Sequence, residues 1–433
     1  MTLDLSSLLS ERLPATTKGL ATAAVDRRLD ALGSLGLSVL NEDLPFPLAV
    51  LKASALEHNL KWMRDFAARA GVELCPHGKT TMAPQLFERQ LAHGAWGITA
   101  ATAAHVRTYR RFGVPRILLA NQLVGRANID LVFDELEADA AFDFYALVDS
   151  VRGLEALLHA LARRPLGRPL QLLLEVGAHG GRNGVRTVEE GLALGRAVRA
   201  VAPAVALRGI EAFEGIAGGE AASAELLVHT MLETVAELAH RGVAEQWFAQ
   251  GDVILSAGGS AFFDLVAAVL PALGPQRGRV VLRSGCYLSH DALHYARMQS
   301  RMRQRSPTLW GRGGELRNAL EVWAQVGSVP EPSRAIVGLG KRDISFDMEL
   351  PQPLLWFRPG THDRPQRVPP ALRVTALNDQ HAFVDAASGT VPWQVGDLVA
   401  FGVGHPCTTF DKWSLLSVVD DDYRVVSGVR TFF

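Results

Sequence analysis

A lysine that follows a predicted strand is the residue best placed for chemistry in this sequence. Lys79 lies in segment 75–81, CPHGKTT, after the strand-like run Val72 to Leu74 and before a helical pattern. Barrel enzymes keep their catalytic groups at the carboxyl ends of their strands. Partial burial would favour the neutral amine, which can attack an aldehyde. The alternative is a lysine whose head simply reaches solvent from a loop.

A glycine- and serine-rich turn after another predicted strand is a candidate phosphate cradle. Its sequence is SAGGS at 256–260, and a helical pattern follows. The N–H groups of Gly258 and Gly259, the hydroxyls of Ser256 and Ser260, and the helix N-terminus would together attract an anion. Barrels commonly bind phosphate late in the strand order. An ordinary glycine-rich connection between strand and helix is the alternative.

Three weaker candidates follow other predicted strands. Arg182 lies in a glycine-rich loop, where it could meet a phosphate, a carboxylate or a pyridine nitrogen. Tyr287 follows the last strand of the βα region and could line the same active-site opening at the carboxyl ends of the strands. Gly218-Gly219 is a second, weaker phosphate candidate. A surface arginine and a packed tyrosine are the alternatives for the first two.

A histidine and a cysteine two residues apart form a candidate metal pair near the C-terminus. His405 and Cys407 would share one face of an extended segment. Imidazole and thiolate together suit Zn²⁺. Two protein ligands leave room for water or substrate oxygens, as a Lewis acid requires. Buried packing or exposed polar residues are the alternative.

The elements that must position these residues form two kinds of pattern. Between Pro47 and Gly285, nine strand-like runs alternate with helical patterns, which predicts a (β/α)8 barrel with one run left over. After a polar stretch at Gln299 to Gly314, predicted to be a linker, come short β-rich runs. We expect an N-terminal extension (1–44), a barrel (45–290) and a C-terminal all-β domain (291–433), which a first strand near 47–52 could join.

The composition favours small-molecule chemistry. The chain has 433 residues, is 48% hydrophobic and 21% charged, and has a formal net charge of -1. That charge argues against a nucleic-acid or anionic-membrane partner. Three cysteines without CxxC spacing support no disulfide framework, and no secretory signal or long apolar run is present, so a reducing cytoplasmic location is expected.

Four of these stretches together resemble the D-threonine aldolase and D-serine dehydratase family of pyridoxal phosphate enzymes, which share the alanine racemase type of fold. The stretches, which lie within Pro47 to Phe433, are PHGKT at 76–80, the turn at 256–260, RSGCYLSHD at 283–291 and GHPCTTFD at 404–411. The first and the last are the most specific. The loop around Arg182 and the pair Asn121-Gln122 depart from the family pattern.

The resemblance implies roles for the candidate residues. Lys79 would hold pyridoxal 5'-phosphate, His405 and Cys407 would bind zinc beside a D-amino acid substrate, and the chain would be a homodimer. Further cofactor contacts would come from residues in the other motifs, namely His77, Arg182, Ser256, Gly258, Gly259, Ser260 and Tyr287.

The resemblance also ranks the possible activities. The family's aldolases tend to pair the metal histidine with an aspartate two residues on, whereas its dehydratases have a cysteine there, as at Cys407. We therefore expect dehydration of D-serine or a related 3-hydroxy D-amino acid to a 2-oxo acid and ammonia. Retro-aldol cleavage to glycine and an aldehyde is the alternative. A racemase is less expected because that reaction needs no metal pair, and a non-catalytic pyridoxal phosphate carrier is the least expected.

Overall fold

The structure is a computed structural model that describes residues 2–217, 221–311 and 314–433. The candidate pair Gly218-Gly219 lies outside these residues. Two sheets dominate the architecture, and one is parallel and the other mostly antiparallel. No helix in the described ranges combines the length and the apolar character that crossing a membrane requires.

The parallel sheet has eight strands in the order β2-β9-β8-β7-β6-β5-β4-β3. Its strands are β2 (Glu73–Leu74), β3 (Ile98–Ala100), β4 (Arg116–Gln122), β5 (Asp143–Val148), β6 (Leu170–Val176), β7 (Val205–Ala212), β8 (Val253–Ala257) and β9 (Gly278–Leu282).

Hydrogen bonds join the two edges of this sheet. The Trp96 N–H donates to the Leu74 carbonyl at 2.7 Å, and the Thr99 N–H donates to the Pro76 carbonyl at 2.8 Å. The predicted (β/α)8 barrel is therefore confirmed. Its interior is filled by apolar side chains, as in other barrels of this type, and these include Leu118, Leu147, Leu173, Ile254 and Val281.

Helices connect the barrel strands and cover them. In the described residues the helices of the chain are α1 (Ser6–Leu9), α2 (Ala53–Ala70), α3 (Pro84–Ala92), α4 (Ala103–Arg111), α5 (Arg126–Ala138), α6 (Val151–Arg163), α7 (Val188–Ala200), α8 (Ala221–Ala244), α9 (Phe263–Leu273), α10 (His294–Arg305), α11 (Pro307–Trp310) and α12 (Cys407–Phe410). Short 3₁₀ turns span Thr22–Ala24, Leu29–Ser34, Gly78–Thr80 and Glu214–Ile216.

The second sheet is built from the first strand and the C-terminal part of the chain. Its strands are β1 (Leu48–Lys52), β10 (Leu320–Glu331), β11 (Arg334–Val337), β12 (Gln352–Phe357), β13 (Gln366–Arg367), β14 (Leu372–Leu377), β15 (Ala382–Ala386), β16 (Leu398–Gly402), β17 (Leu415–Val419) and β18 (Val425–Arg430). The leftover strand-like run is β1, which pairs antiparallel with β10 and parallel with β17.

The N-terminal extension packs on this second sheet. A Cβ at Gly428 of β18 would lie 2.5 Å from Leu32 and 3.0 Å from Leu29, so the sheet and the 3₁₀ turn are in close contact there. Lys18 forms an ion pair with the buried carboxylate of Asp343 at 2.6 Å, and its ammonium lies 3.9 Å from the ring centroid of Trp413. The extension thus covers apolar surface of the C-terminal domain.

The predicted linker at 299–314 is wrong over its first part, because helix α10 runs through Arg305. Only Gln299 and Met302 of this helix are buried, so it lacks the apolar face by which a helix is recognised in a sequence. The side chain of Asp291 accepts hydrogen bonds from the N–H groups of Leu293, Tyr295 and Ala296 and so supports the first turn.

Candidate active site

The lysine motif forms a tight turn at the carboxyl end of β2. Gly78 is needed there because a Cβ at this position would lie 2.6 Å from the Tyr109 hydroxyl of α4. Gly78 and Thr80 are buried, whereas the Lys79 side chain is exposed. The expectation of a partly buried amine is therefore wrong for this structure, because the turn presents Lys79 to solvent between two buried neighbours.

The charge of Lys79 reaches groups from two motifs. Burial is the main cause that lowers the pKa of His77 and His105, and the nearby Lys79 ammonium lowers both further. The Lys79 charge also contributes to a lowered pKa at Cys407, which belongs to the second sheet domain. The fold therefore brings the lysine motif and the metal-pair motif to one place.

His77 lies in the lysine turn with one ring nitrogen unused. Its pKa is held well below the ordinary value, so the ring is neutral at physiological pH. The Nδ1 atom is buried and has no hydrogen-bond partner within the described part of the chain. A buried, unpartnered nitrogen in this position is free to contact a bound ligand.

The glycine-rich turn after β8 directs two N–H groups at one side chain. Gly258 has φ +91°, a conformation that favours glycine. Its N–H donates to Oε2 of Glu214 at 3.0 Å, and the Gly259 N–H donates to Oε1 of the same carboxylate. Two N–H groups that converge on one anion are the geometry expected of a phosphate cradle. A phosphate would have to displace the Glu214 carboxylate, which is fully buried.

The two serines of this turn differ in their surroundings. The Ser256 hydroxyl donates to the Val281 carbonyl of the neighbouring strand at 3.1 Å, so it is engaged inside the barrel wall. Ser260 lines a small cavity together with Cys286 and Tyr287. Tyr287 is buried, and its hydroxyl accepts a hydrogen bond from Gln90 at 3.3 Å. The structure thus places Ser260 and Tyr287 together and directs Ser256 elsewhere.

Arg182 lies beside the cradle. Its guanidinium carbon is 4.4 Å from the ring centroid of Phe213, a cation–π distance. A Cβ at Gly259 would lie 3.1 Å from the same phenylalanine, which precedes Glu214. The glycine-rich loop therefore places Arg182 against Phe213, which in turn lies against Gly259 of the glycine-rich turn.

Buried charged side chains lie inside the barrel next to the glycine-rich turn. Arg283 and Glu211 form an ion pair in which both side chains are buried. The Arg283 guanidinium also donates to the Ala212 carbonyl at 2.8 Å. Glu175 lies nearby and accepts a hydrogen bond from Gln122. Burial, with Glu211 as a second cause, raises the pKa of Glu175 to about 8.

This raised pKa predicts a pH-dependent stability. Between the usual value of 4.5 and about 8, the folded chain keeps a proton on Glu175 that the unfolded chain has lost. The free energy of unfolding should fall as pH rises through this window, by about 1 kcal/mol per pH unit from this group. Glu175→Gln, which still accepts from Gln122, should flatten that dependence when urea denaturation is compared at pH 5 and pH 8. Equal slopes for both proteins would contradict the assignment.

The metal-pair motif lies in a turn at the start of α12. The His405 Nδ1 atom is 2.6 Å from Oδ2 of Asp347, whose other oxygen accepts from the Thr408 hydroxyl at 2.7 Å. A carboxylate on one imidazole nitrogen is the usual partner of a metal-binding histidine and leaves Nε2 for the ion. The donor set at His405 therefore fits a metal ligand.

The Cys407 thiol has a lowered pKa because of its neighbours. A hydrogen bond with Cys286 is the largest cause that lowers the pKa of Cys407, to about 7. The same contact raises the pKa of Cys286 well above its ordinary value. A thiolate near neutral pH is the form that binds zinc. Even so, residues 2–217, 221–311 and 314–433 contain no ready-made group of three or more His, Cys, Asp or Glu side chains around one metal position.

Sequence reasoning missed two of the groups that meet here and gave no role to a third. Glu214 and Asp347 lie far from the motifs they contact, in segments without a recognisable pattern. Cys286 lies in the stretch RSGCYLSHD, but no role was predicted for its thiol. The only sequence signal for Glu214 was its position just after a predicted strand. Barrel enzymes keep their active-site residues at the carboxyl ends of their strands.

Comparison with known proteins agrees with this fold. Residues 51–261 match the family model for the alanine racemase N-terminal domain, and residues 319–419 match that for a serine dehydratase domain. The chain is 27% identical to a D-threonine aldolase of an Arthrobacter species over 87% of its own length and 89% of that protein.

Solved structures of low sequence identity share the fold. The D-threonine aldolase of Filomicrobium marinum superposes with a TM-score of 0.71 at 22% identity, covering 92% of this chain and 97% of that one. The D-threo-3-hydroxyaspartate dehydratase of Delftia sp. HT23 gives a TM-score of 0.71 at 20% identity, with coverages of 91% and 99%. Two family models match successive parts of the chain, and the chain belongs to the D-serine dehydratase and D-threonine aldolase family, enzymes with the alanine racemase fold.

Proposed function

We propose that the chain is a pyridoxal phosphate-dependent lyase that acts on 3-hydroxy D-amino acids, and that it converts D-serine or a related substrate to a 2-oxo acid and ammonia with the help of zinc. The observation that carries the proposal is that Lys79, the paired N–H groups of Gly258 and Gly259, and the Cys407 thiol lie at one end of the barrel.

The residues at this end fit the cofactor. The cradle N–H groups already donate to a carboxyl group, His77 offers a buried nitrogen without a partner among the described residues, and Arg182 lies beside the cradle. Pyridoxal phosphate, when bound, supplies an aldehyde for an amine and a ring that accepts the electrons of a cleaved bond. Lys79 would hold it through Nζ and would move the proton of the substrate Cα.

The metal pair is what favours dehydration. A zinc ion held by His405 and Cys407 would supply Lewis acidity toward the β-hydroxyl of the substrate. Asp347 would keep the imidazole oriented through its hydrogen bond to Nδ1. Thiolate ligation also favours zinc over harder ions such as Mg²⁺. The cysteine at 407 matches the dehydratase pattern of the family.

Retro-aldol cleavage is the second candidate, because the Arthrobacter relative is named an aldolase. In that reaction a base removes the proton of the β-hydroxyl, and the Cα–Cβ bond breaks instead of the C–O bond. The same lysine and metal pair would serve it, so product analysis has to separate the two.

A product screen tests the assignment directly. We expect D-serine or D-threo-3-hydroxyaspartate to yield ammonia and a 2-oxo acid in equal amounts, with no reaction of the L-enantiomers. Ammonia is measured enzymatically and the 2-oxo acid by reduction with NADH. Glycine plus an aldehyde would replace the first proposal by the second. Cofactor binding without turnover of any hydroxy amino acid would favour a non-catalytic carrier.

We also propose a homodimer. Phe346, Met348 and Leu350 are exposed although large and apolar, with fractional exposures of 42%, 45% and 38%. They flank Asp347, so the patch lies next to the metal pair, where a second subunit would cover it. Sedimentation velocity should show a dimer, and Phe346→Ser with Met348→Ser should shift it toward monomer with a parallel loss of turnover. An active monomer in dilute solution would contradict the proposal.

A further inference from the structure

A second cysteine lies against the metal pair. Cys286 follows β9, and its Sγ atom is 3.7 Å from the Sγ atom of Cys407. Both sulfurs also contact the Thr80 hydroxyl oxygen of the lysine turn, at 3.8 Å from Cys286 and 3.5 Å from Cys407. Three segments far apart in the sequence thus hold two thiols side by side next to Lys79.

The spacing of the two sulfurs suits a shared metal ion. Zinc–sulfur bonds of about 2.3 Å in a tetrahedral site place neighbouring sulfurs about 3.8 Å apart. A disulfide would need them at about 2.0 Å. The observed 3.7 Å lies near the first value and far from the second. The two sulfurs are therefore already spaced for one ion. The described residues bring no third His, Cys, Asp or Glu donor to the same point, so the His405 imidazole would have to turn toward the sulfurs when the ion binds.

We propose that Cys286 is a further protein ligand of the metal ion that His405 and Cys407 would hold, so that two sulfurs and one imidazole bind the ion and one position stays open for the substrate hydroxyl. This inference rests on the proposed function. A three-ligand set with one open position is the usual arrangement of catalytic zinc. Cys286 is buried and Cys407 is half-buried, and both sulfurs contact the hydroxyl of Thr80, the residue that follows the exposed Lys79.

A second thiolate would change the chemistry of the ion. Two thiolates and a neutral imidazole balance both charges of Zn²⁺, so its Lewis acidity toward the β-hydroxyl is weaker than with one thiolate. In return, soft ligands strengthen the preference for zinc and cadmium over Mn²⁺ and Mg²⁺. Each cysteine releases its proton when the metal binds.

Cobalt substitution tests the ligand count without relying on turnover. The holoenzyme is freed of metal under reducing conditions and titrated with Co²⁺, and the thiolate-to-cobalt charge-transfer absorption is recorded per bound ion. We expect Cys286→Ser to keep one cobalt per chain with about half of the wild-type absorption, and to bind zinc at least about tenfold more weakly. Cys75→Ser, which alters a buried thiol of the barrel interior, is the matched control and should leave the absorption unchanged.

The outcomes separate this inference from the function on which it rests. Unchanged absorption and zinc affinity in Cys286→Ser would overturn the role of Cys286 while leaving the metal pair intact. Absence of metal binding in the wild type would overturn the metal role itself. If the variant fails to fold by circular dichroism, X-ray absorption of the wild-type zinc enzyme decides: two sulfur neighbours support the proposal, and one sulfur overturns it.

Discussion

Lys79→Ala is expected to lower turnover by about 10³-fold or more and to abolish covalent attachment of pyridoxal phosphate. The reason is that one amine would both hold the cofactor and move the Cα proton. Segment 75–81 contains no second lysine that could replace it. Borohydride reduction followed by peptide mass spectrometry should place the added cofactor mass on Lys79 in the wild type and nowhere in the variant.

The control for this experiment is another lysine on the surface of the barrel. Lys61 of α2 is exposed and, among the residues that the structure describes, pairs only with Glu57, one helical turn before it. Lys61→Ala should therefore leave turnover and the cofactor mass unchanged. Added mass at a different lysine, or substantial turnover by Lys79→Ala, would contradict the role given to Lys79.

Removal of the metal should have the second large effect. His405→Ala is expected to lower turnover by roughly 10²- to 10⁴-fold, because the ion would lose its imidazole ligand, while the cofactor stays bound through Lys79. Chelation of the wild type should have the same effect, and added zinc should restore the wild type but not the variant. Metal content and cofactor absorbance are measured on the same samples.

Asp347→Asn provides a graded comparison for the same site. The amide can still contact His405 but no longer carries the charge that orients the ring, so a loss of about 10- to 100-fold in metal affinity is expected. A metal-free wild type with full activity would show that His405 and Cys407 have no part in the reaction.

The fold was predictable where apolar periodicity and buried strands coincide. The run predicted at Val253 to Ser256 corresponds to β8 (Val253–Ala257), and all eight barrel strands arise from such runs. Helix α10 was not predicted because its side chains are mostly polar. Its first turn is stabilised by hydrogen bonds to the Asp291 side chain, which an analysis of apolar periodicity cannot detect. The path of the N-terminal extension could not be predicted from the sequence, because its short turns are held by tertiary packing against β18.

The site was predictable only where one segment carries its own signal. The lysine turn, the glycine turn and the His405–Cys407 pair are local motifs, and the structure brings the first and the last together through Thr80. Glu214 and Asp347 act on these motifs from elsewhere in the chain, so their contacts depend on the tertiary fold. The exposure of Lys79 likewise depends on how its turn packs against Tyr109.

The position of β1 has a consequence for how the protein comes apart. This strand is hydrogen-bonded on both sides, by β10 and β17, yet the chain enters the barrel directly after it. Separating the two modules would therefore require pulling a strand from the middle of a sheet, which breaks two ladders at once. Thermal denaturation should proceed as one cooperative event, and a protease cut between the modules should leave them associated.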